Sequence, residues 1–181
     1  LEVVEVGGPR LISEVIRLRD DIATLQVYED TTGLRPGEPV YPSGRPLSVY
    51  LGPGLLGNIY DGIQRPLRDI AAANGAFIGR GQKPQALNPA RKWAFKPACA
   101  AGDQVQAGQV IGKLAETESV EFRVMVPPGI AGTIEKIVAA GEYTIEEPVC
   151  IVRTRRGQES LRLASYWPVR QPRPCAGRQP M

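Results

Sequence analysis

The chain has 181 residues, of which 43% are hydrophobic and 23% are charged, with a formal net charge of +3. This length allows one domain or two small ones with a buried core, and so small a net charge does not by itself require a polyanionic partner. There is no run of 18 apolar residues, and the first eight residues lack the basic and apolar regions of a signal peptide, so we expect neither a membrane span nor a signal peptide.

Glycine and proline interrupt the sequence throughout, with 20 Gly and 17 Pro. Proline removes a backbone donor and glycine lowers helix stability, so this content disfavours long helices. Short strands joined by tight turns suit it better. The sequence therefore predicts an all-β fold.

The first predicted element is a hairpin within residues 11–29. Two β-rich runs flank Arg19-Asp20-Asp21, and Ala23, Leu25 and Val27 alternate along one face of the second run. A further strand is predicted at residues 47–51, after a segment rich in Gly and Pro turns. We expect residues 1–52 to form part of an N-terminal β-barrel.

A linking helical segment is predicted over residues 53–74. Leu55, Leu56, Ile59, Tyr60 and Ile63 fall at i, i+1, i+4, i+5 and i+8. This spacing predicts a short helix near residues 55–63. A second, weaker helical pattern over residues 67–73 ends at Asn74-Gly75.

Residues 75–165 are expected to form a small β domain with an internal repeat. Residues 100–105 and 139–144 share an Ala-Ala-Gly-acid pattern 39 residues apart, and an apolar strand follows each copy. The sequences of residues 101–112 and 127–134 resemble those of the barrel-sandwich hybrid of biotinyl and lipoyl domains. The repeat predicts a compact module over residues 95–152 with an approximate two-fold axis.

Gly52-x-Gly54-x-x-Gly57 matches the dinucleotide-binding pattern, but its context does not. A Rossmann unit needs a parallel strand after the helix with an acid at its end, and here Pro66 and Asn74-Gly75 follow. We expect these glycines to allow close packing rather than to bind a cofactor.

A carrier function for residues 95–152 is the next alternative. Carriers present the modified lysine at a hairpin tip, and residues 120–125 contain no lysine. Lys113 and Lys136 are predicted to lie in or beside strands and to solvate a face. The resemblance of scaffold therefore does not extend to the chemistry.

Residues 166–181 are predicted to be an extended return strand, in a region where seven arginines follow position 152. Tyr166 and Trp167 beside arginines are also compatible with nucleic-acid binding. The prolines favour a connector, and charge runs are usually solvated, so we expect docking to another domain and no nucleic acid.

The remaining candidate residues predict no catalytic, cofactor-binding or metal site. Glu116 with Glu118, and Glu146 with Glu147, lack a third catalytic partner, and the chain has no histidine. The cysteines are odd in number and widely spaced, which predicts reduced thiols that stay apart rather than a disulfide framework or a zinc site. They are Cys99, Cys150 and Cys175.

The run from Leu51 to Leu67, LGPGLLGNIYDGIQRPL, closely resembles the catalytic A subunit of archaeal and vacuolar-type rotary ATPases. Further matching motifs lie before and after this run, in the same order as in the family. They are residues 10–18, 26–40, 93–97, 125–128, 141–148 and 167–174. The resemblance implies an N-terminal fragment with part of the crown barrel and the insertion domain, ending before the P-loop domain.

The resemblance also implies a role and partners. In this family the parent subunit uses Mg-ATP, barrels of alternating A and B subunits hold the hexamer together, and the insertion lies near the peripheral stalks. The chain contains no G-x-x-x-x-G-K-[ST], so we expect a structural part that alone neither binds nor hydrolyses ATP. The implied location is cytoplasmic, with membrane contact only through the motor. The alternative is a free-standing β-barrel interaction or nucleic-acid-binding module.

Overall fold

The computed structural model describes residues 2–75 and 77–174. Over these residues the fold is almost entirely β, which confirms the predicted fold class. The strands and the helix in chain order are β1 (Val3–Val6), β2 (Leu11–Arg19), β3 (Ile22–Val27), β4 (Val40–Pro42), β5 (Ser48–Leu51), α1 (Leu67–Asn74), β6 (Lys92–Pro97), β7 (Gln104–Val105), β8 (Val110–Ala115), β9 (Glu121–Met125), β10 (Gly132–Ile137), β11 (Gly141–Thr144), β12 (Pro148–Thr154), β13 (Gly157–Arg162) and β14 (Ser165–Pro168).

Two compact units make up the described chain. The first unit collects residues 2–50, 58–75, 77–86 and 166–172, and the second collects residues 51–57, 87–165 and 173–174. The chain therefore leaves the first unit at residues 51 and 87 and returns to it at residues 58 and 166.

The first unit contains a four-stranded antiparallel sheet in the order β3-β2-β1-β4. The predicted hairpin is confirmed, because β2 pairs with β3 and Arg19 lies opposite Ile22. Asp20 takes a φ of 52° in the connecting turn, a conformation that aspartate tolerates better than most residues. The described strands form an open sheet rather than a closed barrel.

The helix predicted near residues 55–63 does not form, so that prediction was wrong. Gly57 has a φ of +80°, which leaves the helical region. Further along, the Asp61 carboxylate accepts hydrogen bonds from the backbone N–H groups of Ile63 at 3.1 Å and Arg65 at 2.8 Å. Such a local turn competes with helix formation, although the apolar spacing was suitable.

The weaker prediction near residues 67–73 is confirmed by α1. Pro66 precedes the helix with a φ of −68°, already close to helical values. At the other end Gly75 has a φ of +69° and donates its N–H to the Ala71 carbonyl at 2.8 Å, which ends the helix. In the described part of the chain, no helix is long and apolar enough to cross a membrane.

The second unit is built from two four-stranded sheets whose orders are β13-β12-β10-β7 and β9-β8-β6-β11. The second order becomes the first when β9, β8 and β6 are replaced by β13, β12 and β10 and β11 is replaced by β7. The strands β7 and β11 are therefore exchanged between the two sheets. This is the two-fold relation that the repeat predicts, and it is confirmed at the level of strand pairing. The most deeply buried side chains of this unit include those of Phe95, Ile111, Ile134, Ile145 and Val149.

The two Ala-Ala-Gly-acid segments differ in local backbone. Gly102 has a φ of +95° in a turn before β7, whereas Gly141 is the first residue of β11 and is not left-handed. The approximate symmetry therefore lies in the strand topology and not in the backbone conformation of the two repeated segments.

Candidate functional site

The glycine loop at residues 52–57 is packed as closely as the sequence predicts. A Cβ atom on Gly52 would overlap the side chain of Ala164 and lie 3.0 Å from Leu87 Cδ1. Gly54 has a φ of +101°, and a Cβ there would lie 3.2 Å from the ring of Trp93. Glycine at these positions is thus explained by packing and backbone conformation within the second unit.

The loop does hold an anion, and that anion is a side chain of the same unit. Glu116 Oε1 accepts hydrogen bonds from the backbone N–H groups of Gly54 at 2.8 Å and Leu56 at 3.2 Å. Amides that converge in this way form a concave anion-binding site of the kind that phosphate loops use. Since Glu116 already engages these two amides and Pro53 has none, the geometry favours a structural latch over a phosphate site. We call this contact the Glu116 latch.

The structure corrects the predicted position of the carrier hairpin tip. Residues 120–125, which were expected at the tip, lie almost entirely in β9 (Glu121–Met125). The turn between β8 and β9 consists of residues 116–120, which include Glu116 and contain no lysine. Lys113 lies on β8 and pairs with Glu121 at 3.0 Å, and Lys136 lies exposed on β10. Both lysines therefore lie in strands, as predicted from the sequence.

In each of the two carboxylate pairs one glutamate accepts backbone hydrogen bonds and the other is exposed to solvent. Glu118 is exposed, while Glu116 holds the glycine loop. Glu147 accepts a hydrogen bond from the Thr144 N–H at 2.6 Å, and this bond lowers the pKa of Glu147; Glu146 is exposed. Among the described residues, no group of three or more metal-ligating side chains comes together.

Two of the three cysteines lie in the described residues, and both are free, as predicted. Cys99 is half-buried and its thiol donates to the Val110 carbonyl at 3.4 Å. Burial raises the pKa of Cys150 to about 11, so this thiol stays protonated near neutral pH. Cys175 lies outside the described residues.

The described arginines that follow position 152 are divided between the two units. Arg153, Arg155, Arg156 and Arg162 belong to β12, β13 and their turn in the second unit, whereas Arg170 belongs to the first unit. Tyr166, the aromatic residue considered for base stacking, instead stacks on Tyr50 with ring centroids 4.5 Å apart.

The exposed side chain of Arg170 pairs with the buried carboxylate of Glu14, a contact that was not predicted from the sequence. Its guanidinium donates two hydrogen bonds to the Glu14 carboxylate, at 2.9 and 2.6 Å, and the Tyr28 hydroxyl donates a third at 2.7 Å. The Glu14 side chain is only 1% exposed. The bonds from Arg170, followed by the bond from Tyr28, lower the pKa of Glu14 to about 2.

A second buried charge cluster holds the loops of the first unit. Arg65 Nε donates to Asp61 at 2.7 Å and its Nη1 donates to Glu29 at 3.1 Å. Glu29 also accepts from the backbone N–H groups of Gly81 and Ile12. Each buried charge thus has partners, which is the condition for keeping such groups inside a fold.

The outer end of the β2–β3 hairpin exposes apolar side chains on both faces. Residues 16–19 of β2 extend past the last pair with β1 and contact only β3 within the sheet. Leu18 is 73% exposed, Ile22 is 66% exposed and Ile16 is 46% exposed. Because Leu18 pairs with Ala23 and Arg19 pairs with Ile22, Leu18 and Ile22 lie on opposite faces. We call this feature the apolar hairpin end.

Two family models match the sequence. The model described as "ATPsynthase alpha/beta subunit barrel-sandwich domain" matches residues 84–170, and "ATP synthase alpha/beta family, beta-barrel domain" matches residues 1–44. Together with the exchanged β-sheets of the second unit and the open β-sheet of the first, these matches define a member of the ATP synthase alpha/beta family.

Two similar proteins indicate which branch of this family the chain belongs to. The A subunit of the A-type ATP synthase of Saccharolobus islandicus is 49% identical over 174 residues, which cover 96% of this chain and 29% of that protein. The V-type ATP synthase alpha chain of Halothermothrix orenii is 48% identical over 181 residues, which cover 99% of this chain and 31% of that protein. The chain therefore belongs to the family of A-type and V-type ATP synthase A subunits, and it spans less than a third of the length of these relatives.

Proposed function

We propose that this chain is a structural part of the A subunit of a proton- or sodium-translocating rotary ATPase, the subunit that hydrolyses or makes ATP. The first unit would join neighbouring subunits in the crown of the hexamer, and the second unit would be the insertion that faces the peripheral stalks. The proposed partners are the B subunits and the stalk subunits. The proposed location is cytoplasmic, attached to the membrane through the rest of the motor.

The apolar hairpin end is the observation that carries the crown assignment. Leu18 and Ile22 project from both faces of a hairpin that extends past the neighbouring strand, and their exposed apolar area favours burial against another polypeptide. The barrel of a B subunit is the proposed occupant, because the family resemblance implies alternating A and B barrels.

We further propose that the chain alone neither binds ATP specifically nor hydrolyses it. The Glu116 latch supports this proposal, because the amides of the one G-x-G-x-x-G loop already hold a carboxylate. The described residues also include no Gly-Lys-Ser/Thr sequence that would end a P-loop. Mg-ATP would then bind to parts of the parent protein outside this chain.

Association with a purified B subunit tests the crown assignment. Mixing the two proteins and measuring mass by sedimentation equilibrium should reveal a complex that Leu18→Asp weakens, because the change places a charge in the apolar contact. Met125→Asp is the matched control, since Met125 is 44% exposed and lies in the second unit. Equal weakening by both variants, or no complex for the unaltered chain, would contradict the proposal.

A further inference from the structure

The end of α1 carries an asparagine followed by a glycine, two residues whose side chain and backbone can react with each other. Asn74 is the last residue of α1, and its side chain is exposed. The backbone nitrogen of the next residue can attack the amide carbon of an asparagine, which is one reason why asparagine is a thermolabile residue. Gly75 has no side chain to hinder that approach. The dipeptide is therefore a chemically reactive point in an exposed part of the chain.

The other two asparagines of the chain are followed by residues that resist this reaction. Asn58 precedes Ile59, whose β-branched side chain crowds the backbone beside its own nitrogen. Asn88 precedes Pro89, which has no backbone N–H to lose. These two positions therefore serve as internal controls for the first.

The folded chain holds the Gly75 nitrogen out of the reaction. Its N–H donates to the Ala71 carbonyl at 2.8 Å, and the nitrogen must lose this proton before it can attack. The positive φ of Gly75, 69°, closes the helix in this conformation. The buried residue of α1 is Ile70, whereas residues 71–74 are exposed, so the last turn can open without uncovering apolar side chains.

We propose that Asn74-Gly75 is a deamidation site and that the last turn of α1 controls its reaction. When the turn opens, hydroxide removes the amide proton of Gly75 and the nitrogen forms a bond to Asn74 Cγ. The Cγ–Nδ2 bond breaks, ammonia leaves with a proton taken from water, and a cyclic succinimide remains. Water then opens either carbonyl of the ring, so that the products are aspartate and isoaspartate at position 74.

Either product disfavours the helix end from which it arises. The new carboxylate lies at the C-terminus of α1, where the helix dipole is already negative, and α1 has no basic residue in its last turn. Isoaspartate also places an additional carbon in the backbone, which disrupts the spacing of the helical hydrogen bonds. Deamidation is thus an irreversible change that shortens α1.

Peptide mapping by mass spectrometry measures this reaction in the chain as it stands. The folded chain would be incubated at mildly alkaline pH and digested at intervals, and the acid fraction would be measured at each asparagine. Asn74 should deamidate fastest, and Asn88 should not deamidate measurably. In denaturant Asn74 should react faster by roughly tenfold or more, because the protecting turn is then absent.

Ala72→Gly weakens the last turn and leaves the reactive dipeptide unchanged. Ala72 is exposed in α1, and glycine inside a helix should raise the population of the open turn by roughly fivefold. Deamidation of Asn74 and native-state hydrogen exchange at Gly75 should both accelerate by this factor. Ala101→Gly is the matched control, since Ala101 is exposed in a turn of the second unit, and it should leave both rates unchanged.

Three results would overturn the proposal. They are deamidation of Asn74 no faster than that of Asn58, equal rates at Asn74 in the folded and denatured chain, and faster exchange at Gly75 in Ala72→Gly without faster deamidation. None of these results bears on association with the B subunit, so failure of this proposal is distinguishable from failure of the proposed function.

Discussion

Replacing Glu14 by glutamine should remove much of the acid sensitivity of the first unit. In the folded chain the Glu14 carboxylate is buried and accepts hydrogen bonds from Arg170 and Tyr28. Its pKa falls from the usual 4.5 to about 2. Because the folded-state pKa lies below the unfolded value, the ionised group stabilises the fold above about pH 4.5, and this contribution is lost as the pH falls towards 2.

The size of this contribution follows from the two pKa values. At about 1.36 kcal/mol for each pH unit between them, the ionised carboxylate contributes at most about 3 kcal/mol to the free energy of unfolding. Arg170 is 56% exposed, and solvent screening of its charge lowers the expected contribution to about 2 kcal/mol. Tyr28 and the remaining polar contacts would still satisfy part of a glutamine at this position.

Urea unfolding followed by tryptophan fluorescence would measure the effect. Trp167 lies in the first unit and Trp93 in the second, so a Trp93→Phe background leaves one reporter in the unit that contains the ion pair. At about pH 6 the Glu14→Gln variant should be less stable than its parent by about 2 kcal/mol. Near pH 2 the two proteins should have the same free energy of unfolding.

Asp21→Asn is the control for this comparison. Asp21 is exposed in the hairpin turn of the same unit, so replacing it with an amide removes one carboxylate without altering the Glu14–Arg170 contact. A gap between Glu14→Gln and its parent that stays the same from pH 6 to pH 2 would refute the assignment of the pKa shift to the Glu14–Arg170 contact.

Two further predictions concern the second unit. Glu116→Ala should open the glycine loop, and native-state hydrogen exchange should show faster exchange of the Gly54 and Leu56 amides by roughly tenfold or more. Gly132→Ala should destabilise the chain by about 1–3 kcal/mol in urea unfolding, because the new Cβ would overlap a backbone carbonyl of β12. Gly62→Ala should be close to neutral, since nothing lies within 4 Å of a Cβ there.

Each of these predictions has a contrary outcome. Unchanged exchange at Gly54 in the Glu116→Ala variant would mean that the loop keeps its conformation without the latch. Equal stability losses in Gly132→Ala and Gly62→Ala would mean that the close approach of β10 to β12 is not what requires glycine at residue 132.

Local sequence patterns predicted the elements whose stabilising contacts are local. The β2–β3 hairpin followed from two β-rich runs that flank Arg19-Asp20-Asp21 and from alternation along the second run. The helix α1 followed from a short apolar pattern ended by Asn74-Gly75. The prediction of a helix near residues 55–63 was wrong because apolar spacing carries no information about the competing turn at Asp61. The approximate two-fold relation of the second unit followed from the repeat, although the two repeated segments themselves adopt different backbone conformations.

The contacts that define the candidate sites join residues far apart in sequence. Glu116 and Gly54 are 62 residues apart, and Glu14 and Arg170 are 156 residues apart. Neither pair belongs to a motif with fixed spacing, so a single sequence gives no signal for them. The sequence analysis explained the glycines of the G-x-G-x-x-G pattern by close packing and did not predict that two amides of this loop hold a glutamate of the same chain.

Titration calorimetry of the isolated chain with Mg-ATP at near-physiological salt tests most directly the claim that this part of the parent protein is a scaffold. We expect no specific heat of binding, because the amides of the glycine loop hold Glu116 and the described residues contain no P-loop sequence. Weak binding that disappears with added salt and does not distinguish ATP from GTP would agree with loose attraction to arginines. Low-micromolar binding that is selective for adenine would contradict the scaffold claim.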